Sequence, residues 1–553
     1  MDVAEDQVTR WQQQISAMDS RRQPWLIAWR DMADYYIPRR YTWLQTDQER
    51  LLKQTRNPNI FDGTGTNAGR ILAAGMLNGI TSPTRPWFRL RFADFSDDTD
   101  MLARQWLDEV ERRMFIILAE SNFYNAMSIV FLDLAFFASC ACLIYDDDEF
   151  IINCVNSALG EYFFALDSKL RVSTFARQFQ YTPKQMADEF GLENLSATVK
   201  AIMDAKSPAM YSQQVTINHI IEPNSGDGIV PSRFNYREVY FETGGEKGKV
   251  LRAKGYYEKP GIWARWEVTG NDEYGTGPSF DALGDVIQLQ HETKRKAQSL
   301  DYAIRPPMIL DAELARKPTN LIPGGQTFVR NAANTVGAKP AYQVQPPLQE
   351  MTEDIRDVQA RIREIFHNDL FKMISQLETV RSATEIDARK EEKLVMLGPV
   401  LDRFKNEALD PAIKRVYQIM FRKGLIPPPP KSAALRKLEI NYVSILAAAQ
   451  SAAGVAPTER FLQVIGSVAG IYKQALNIPN WDDLLRDYGK DLGVRAKHIN
   501  TPQQTAQLNQ QMAQESAAAQ AAEQTPGLAQ AAQNLSQTDV GGGINAIQQL
   551  MGS

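Results

Sequence analysis

Apolar residues recur every three to four positions in several long stretches of the chain, and each such stretch predicts a helix. The first puts Trp25, Trp29, Met32 and Tyr36 on one face and stops at Pro38, which has no N–H to continue the ladder. A second runs from about Asn67 to Asn78, behind a Gly/Thr turn (Phe61–Thr66) and ahead of a Ser82-Pro83 stop. Residues 101–137 also read as helical. Asp281–Ile304 reads as one long, mostly polar helix halted before Pro306-Pro307, and Leu348–Phe366 as another. Residues 305–348 between them are rich in Pro, Gly and Asn, with short extended pieces such as Gln326–Arg330, so two helices flank a compact excursion. The strongest helical pattern lies at 385–424, with Leu394, Leu397, Leu401, Phe404, Ala408, Ile413, Val416 and Met420 on its apolar side. Gly398-Pro399 and Asp410-Pro411 are expected to bend it, Gly424 to end it, and Pro427–Pro430 to follow as a stiff linker.

Alternating or continuously apolar runs predict strands at 87–92, 139–145, 149–155, 215–221, 236–243, 250–257 and 262–269, with a small helical insertion at 183–206. The middle of the chain is therefore α+β. Ala126–Tyr145 is about long enough to cross a bilayer and has Asp133 as its only charge, but Asp146, Asp147, Asp148 and Glu149 follow at once in place of a basic flank. The expectation is a buried helix running into a buried strand, then a turn at Asp146–Glu149, with no membrane span. A small helical unit is expected from about Asn441 to Gly493, anchored by Trp481. After Pro502 the chain becomes Gln/Ala-rich, with good helix propensity and almost no apolar face. Alone this tail is expected to be disordered or frayed; in a symmetric ring it could pack against copies of itself.

At 553 residues the chain exceeds the roughly 250–300 over which one core keeps growing, which implies two or three subdomains. Hydrophobic residues at 44% and charged residues at 23% place the bulk among globular proteins. Met1–Gln14 has no apolar core of a secretory signal, so synthesis in the cytoplasm is expected. Cys140, Cys142 and Cys154 are too few for a disulfide framework and read as buried thiols. The net charge of −5 offers no basic stripe for gripping DNA phosphates. DNA that must slide past would equally call for weak contacts, so the acidity advertises no tight grip and does not speak against passage.

Catalytic motifs do not emerge. Gly63, Gly65 and Ala68 match the looser G-x-G-x-x-A dinucleotide fingerprint, but no strand precedes them and no acidic residue follows about 20 positions on. His219, His291, His367 and His498 are scattered, and His291-Glu292 lacks the second histidine of a zincin helix. Gly244–Val250 lacks the glycine spacing and the Ser/Thr of a phosphate loop, and no G-x-S-x-G elbow occurs. No catalytic residue, metal site or cofactor is read, which leaves the rival reading of an enzyme of nucleic-acid metabolism with a thin warrant.

Four blocks carry a family resemblance: WRDMADYYIPRR (Trp29–Arg40), FDGTGTNAGRILAAGMLNGITSPTRPWFRL (Phe61–Leu90), EYGTGP (Glu273–Pro278) and RSATEIDARKEEKLVMLGPVLDRFKNEALDPAIKR (Arg381–Arg415). In these, and in their order, the chain resembles the bacteriophage head-to-tail connecting proteins, the portals of short-tailed phages. The resemblance implies an α+β portal fold: a mixed wing at 1–280, stem helices at 281–304 and 349–367 around a clip at 305–348, and a tunnel loop at 368–384. A long bent wing helix at 385–430, a helical crown at 431–500 and a tail or barrel at 501–553 complete it. It also implies a non-enzymatic ring of twelve copies at the unique portal vertex of the virion capsid, with an axial channel for double-stranded DNA during packaging and ejection. Implied partners are the terminase large subunit, a tail adaptor or tail tube protein, the major capsid and scaffolding proteins, and internal core proteins at the crown. Within the implied tunnel loop, Lys372, Gln376 and Arg381 are candidates for transient phosphate contacts; alternatively both cations pair with Asp369 or Glu378. The rival within the same biology is another phage head or tail structural protein, such as an adaptor.

Overall fold

The computed structural model describes residues 3–40, 59–92, 101–310 apart from 227 and 247, 338–340, 346–376, 397–431, 437–443, a discontinuous set between 461 and 488, and 504–516. Two units emerge: one formed by 1–91, 105–434 and 438–450, the other by 92–104, 435–437 and 451–553.

The first unit opens with α1 (Val3–Tyr35). Its apolar stripe is longer than the four residues read from the sequence: Val8, Trp11, Ile15 and Met18 precede Leu26, Trp29, Met32 and Tyr36 at three-to-four spacing, all buried. The stripe serves two cores. Val8 to Met18 cover a sheet, while Trp29 packs on Tyr274 and Tyr36 meets Gly65 of α2 (Thr64–Ile80) and Phe136 of α4 (Phe123–Phe137), the helix that follows α3 (Met101–Glu120).

That sheet is a five-stranded antiparallel meander of β4 (Tyr162–Leu166), β5 (Val172–Tyr181), β6 (Val215–Pro223), β7 (Tyr236–Glu242) and β8 (Arg252–Tyr256). β4 and β5 were not expected. Three consecutive residues of β4, Tyr162–Phe164, are all buried, so the two-residue alternation that marks a half-exposed strand is missing. The cause is cover on both faces. Phe163, Ala176, Ile220, Val239 and Phe241 pack under α1, whereas Ile217 and Tyr240 pack with Met186, Phe190 and Val199 of α5 (Pro183–Phe190) and α6 (Ala197–Asp204). These two helices are the insertion expected at 183–206, and Thr182 starts α5 with a capping box closed by Gln185.

A second sheet has the order β3-β2-β9, with β2 (Ser139–Asp146) between β3 (Ile152–Ser157) and β9 (Gly261–Arg265). The run tested as a membrane span breaks at Ala138, in the left-handed region at φ 54°, where α4 ends and β2 begins. Among the described residues no single helix is long and apolar enough to cross a membrane. Asp133 is buried and paired with Arg40; burial raises its pKa, and the guanidinium opposes the rise. The three cysteines are buried and free, and burial pushes the Cys140 thiol up, away from the reactive thiolate.

Three further helices, α7 (Leu283–Ile304), α8 (Leu348–Ile365) and α9 (Asn368–Gln376), follow in sequence. Of the long helix expected at 385–424, residues 385–396 lie outside the described set. The remainder is α10 (Gly398–Phe404), a π-helical turn (Lys405–Leu409) and α11 (Asp410–Arg422). Gly398-Pro399 therefore starts a helix here, where a proline in the first turn has no bond to lose. The distortion falls one turn before Asp410-Pro411, because Pro411 has no N–H for the carbonyl four residues earlier. Gly424, at φ 70°, ends the helix as expected, with Leu425 N–H returning to Met420 O at 2.9 Å.

Asn441 and Tyr442, expected in a helical unit, instead belong to β12 (Leu438–Tyr442), which pairs with β1 (Phe88–Phe92). The alternating Leu438-Glu439-Ile440 suits an edge pairing better than a helix. In the second unit, Trp481 is only half-buried among the described residues, and the helix at 504–516 exposes nearly every side chain.

Candidate functional site

α7 and α8 lie antiparallel. Val286 and Leu289 of α7 face Ile355, Val358 and Ile362 of α8, all buried. Two polar contacts set the register: Lys296 Nζ donates to Thr352 Oγ1 at 2.7 Å, and Arg361 pairs with Asp285 at 3.1 Å. Beyond the far end of the pair, β10 (Met308–Leu310) and β11 (Ala338–Pro340) join antiparallel, Met308 opposite Pro340 and Leu310 opposite Ala338. Two helices flanking a closed excursion is the organisation the sequence led us to expect; residues 311–337 lie outside the described set.

The hairpin is rooted on the segment before α2. Gln290, buried, accepts from Phe61 N at 2.6 Å and Asp62 N at 2.8 Å and donates to Asp62 O at 2.9 Å. Gln359 donates to Asp62 Oδ2 at 2.8 Å, so one aspartate receives both helices. The glycines of α2 serve close packing. A Cβ at Gly65 would lie 2.9 Å from Val286, at Gly69 2.4 Å from Phe136, and at Gly75 2.5 Å from Phe371. Within the G-x-G-x-x-A match Gly65 is thus a packing glycine, while Gly63 has open space around it; with Gly69 and Gly75, the bare faces of α2 admit α7, α4 and α9. The signal in the sequence was small residues at helical spacing.

Phe371, pressed beneath Gly75, orients α9, and α9 carries two of the three candidate residues. Lys372 follows Phe371 and is exposed; Gln376 is the last residue of the helix. Arg381 and Glu378 lie outside the described residues. The contact to Gly75 involves the Cβ of Phe371, near its backbone, so relief needs α9 to move. Gly75→Val is expected to cost about 1–3 kcal/mol, read as a lower urea midpoint at unchanged slope. An unmoved midpoint would show that α9 yields freely.

The other blocks of the sequence converge on the same region. Tyr36 donates to Ser279 O at 2.9 Å and accepts from Thr66 Oγ1 through its carbonyl at 2.6 Å. Tyr274 stands edge-on to Trp29 at 4.9 Å, and Glu273 pairs with Arg21 at 2.6 Å. Gly275 donates to Ser139 Oγ at 2.9 Å, and a Cβ there would lie 2.4 Å from Ala138 O. In the C-terminal block, Phe404 packs on Phe131 at 5.1 Å, and Glu407 of the π turn accepts from Arg265 at 2.7 Å. Arg415, buried over the Tyr256 ring at 4.7 Å, donates to Ile144 O at 3.1 Å and pairs with Glu258. Among the described residues, the members of these blocks named here thus pack and frame; 381–396 lie outside the described set.

One cluster has catalytic residue types. His219 Nε2 lies 2.8 Å from Glu238 Oε1, which also accepts from Tyr145 and Tyr240 at 3.0 Å each. Arg177 Nε donates to His219 Nδ1 at 2.9 Å, so Nδ1 is the acceptor and Nε2 carries the proton. Burial lowers the pKa of His219 to about 4, and the positive charge of Arg177 adds to this against the pull of Glu238. The side chains of His219 and Glu238 are 0% and 1% exposed, so no substrate reaches them and the cluster stabilises the sheet. Among the described residues no group of three or more His, Cys, Asp or Glu is placed to hold a metal ion.

A family model described as bacteriophage head to tail connecting protein matches residues 8–499 of the chain. A probable portal protein of Bordetella phage BPP-1 is 37% identical over 521 residues, 93% of this chain and 92% of that protein. A portal protein of Salmonella phage epsilon15 is 36% identical over 545 residues, 97% of this chain and 96% of that one.

Proposed function

The chain belongs to the bacteriophage head to tail connecting protein family, and from this we propose that it works as the portal subunit joining the capsid to the tail. The observation that carries the reading is extent: portal relatives are matched over 92% and 96% of their own lengths, in the order of segments seen here. An adaptor is disfavoured on the same ground. The helical hairpin with its closed excursion adds support from the fold.

In finer detail, the reading is of twelve copies in a ring at the portal vertex, with α7 and α8 as stem helices, the excursion between them as clip and α9 as the start of a tunnel loop. Residues 385–430 would be the wing's long helix, 431–500 the crown and 501–553 a tail or barrel. Double-stranded DNA would pass through the channel inward at packaging and outward at ejection. The terminase large subunit, then a tail adaptor or tube protein, would dock on the clip; capsid, scaffolding and core proteins would meet the outer parts. No catalytic step is assigned to it: the motor would hydrolyse ATP, and this chain would guide and hold. Sliding requires weak contacts, which the net charge of −5 favours.

Two measurements test this. Twelve copies of a 62.3 kDa chain make a ring of about 750 kDa with an axial hole in negative stain; a strict monomer at high concentration, or a particle without a hole, overturns the reading. For the tunnel loop, Lys372→Ala with Arg381→Ala is expected to lower packaging and genome retention several-fold while rings still form. Unchanged packaging would leave those cations as partners of Asp369 or Glu378.

A further inference from the structure

The outward faces of α7 and α8 carry opposite charge. On α8, Glu350, Glu353 and Asp357 fall at three-to-four spacing on the side opposite Ile355, Val358 and Ile362, with Glu364 two turns further on, and all four are exposed. Arg361, next in that row, turns to Asp285, and Arg356 and Arg363 stand on one flank. On α7 the side opposite Val286 and Leu289 carries His291, Arg295, Gln298 and Tyr302 at four-three-four spacing, with Lys294 beside them, and again all are exposed. No carboxylate lies on that line. At the far end, Tyr302 and Ile304 are 48% and 73% exposed.

We propose that these two faces are the two halves of one contact between copies of this chain, the cationic face of α7 in one copy seated on the acidic face of α8 in the next. This rests on the ring reading. The register within the hairpin is the geometric support. Asp285 is level with Arg361 and Lys296 with Thr352, so Lys294 and Arg295 are level with Glu353, and Glu350 and Asp357 lie within about a turn. Rotation about an axis along the hairpin keeps every level at its height. The cations of one copy therefore meet the carboxylates of its neighbour at the same level, and each copy offers one face of each sign. That is the heterologous contact a closed ring needs, and it forbids the two-fold pairing in which like faces meet. Like-charge faces on both helices would not allow it.

The full chain tests the pairing. Lys294→Glu with Arg295→Glu, or Glu353→Lys with Asp357→Lys, is expected to raise the subunit concentration for half-assembly at least about tenfold at low salt. All four substitutions in one chain exchange the signs of both faces and are expected to recover most of the assembly. Equal helix content by circular dichroism identifies the effect as one of contact and not of folding. Rings unaffected by either reversal overturn the pairing and leave the ring reading standing, as does loss without recovery in the fourfold variant. A wild-type chain that never assembles overturns both.

Discussion

Replacing Arg265 with alanine is expected to lower stability by about 3–5 kcal/mol, the cost of leaving one partner of a buried ion pair alone. The side chain is 1% exposed and its partner Glu407 14% exposed. Arg265 grips Glu407 through Nη2 at 2.7 Å and its backbone N–H at 3.0 Å, and its remaining donors reach Asp272 O at 2.9 Å and Leu170 O at 3.1 Å. Three segments distant in sequence, at Leu170, Arg265–Asp272 and Glu407, thus meet on one guanidinium. After truncation Glu407 keeps the backbone N–H of residue 265 and Arg403, at 3.8 Å, but loses its close guanidinium, and two carbonyls lose their donor. Urea unfolding at neutral pH measures the loss. Arg265→Met with Glu407→Leu removes both charges at similar volume and is expected to lose less than Arg265→Ala, while staying below the wild type because the carbonyls remain unpaired. A loss under about 1 kcal/mol for Arg265→Ala would mean that the pair behaves as a surface bridge, contrary to its burial.

Acid is expected to weaken the five-stranded sheet before the carboxylates as a class titrate. His219 has an ordinary value of 6.5 when unfolded and is held near 4 when folded. As pH falls between these values the unfolded chain takes up a proton that the folded chain refuses, so stability drops. The contribution is present in full above about pH 6.5, declines toward pH 4 and levels off below, and over that window amounts to about 3 kcal/mol. Glu238, whose carboxylate is held low against its burial by the His219 hydrogen bond and by Tyr256, adds a loss of the same sign at lower pH. His219→Gln can keep both bonds, donating to Glu238 and accepting from Arg177, but does not titrate. Its urea midpoint is therefore expected to fall less steeply than the wild type's between pH 6.5 and 4. Equal slopes in the two proteins would assign the acid sensitivity to other groups.

Much of the fold was legible because helix and strand periods are local. The stripe at Trp25 to Tyr36, the two helices around a Pro/Gly-rich excursion, the break of the apolar run before β2 and the Gly424 stop all follow from neighbours within a few positions. Local period failed where an element is covered on both faces, as in β4, and where one missing N–H acts a turn away, as at the π turn before Pro411. The candidate site divided in the same way. The hairpin was readable, but the reason it stands where it does was not, since Asp62, Gln290 and Gln359 are separated by 228 and 297 residues along the chain.

By itself, the sequence determined the class of the chain, its order of segments and the absence of a familiar catalytic motif. Tertiary structure alone decided what the glycines and charges are for. A Gly-x-Gly-x-x-Ala run reads the same whether its bare backbone approaches a phosphate or a packed side chain, and only the neighbours of Gly65, Val286 at 2.9 Å and the Tyr36 ring at 3.1 Å, tell which. Likewise Arg265 and Arg415 look like surface charges in the sequence, because the partner that permits burial of a charge is set by long-range contact and leaves no mark on adjacent residues.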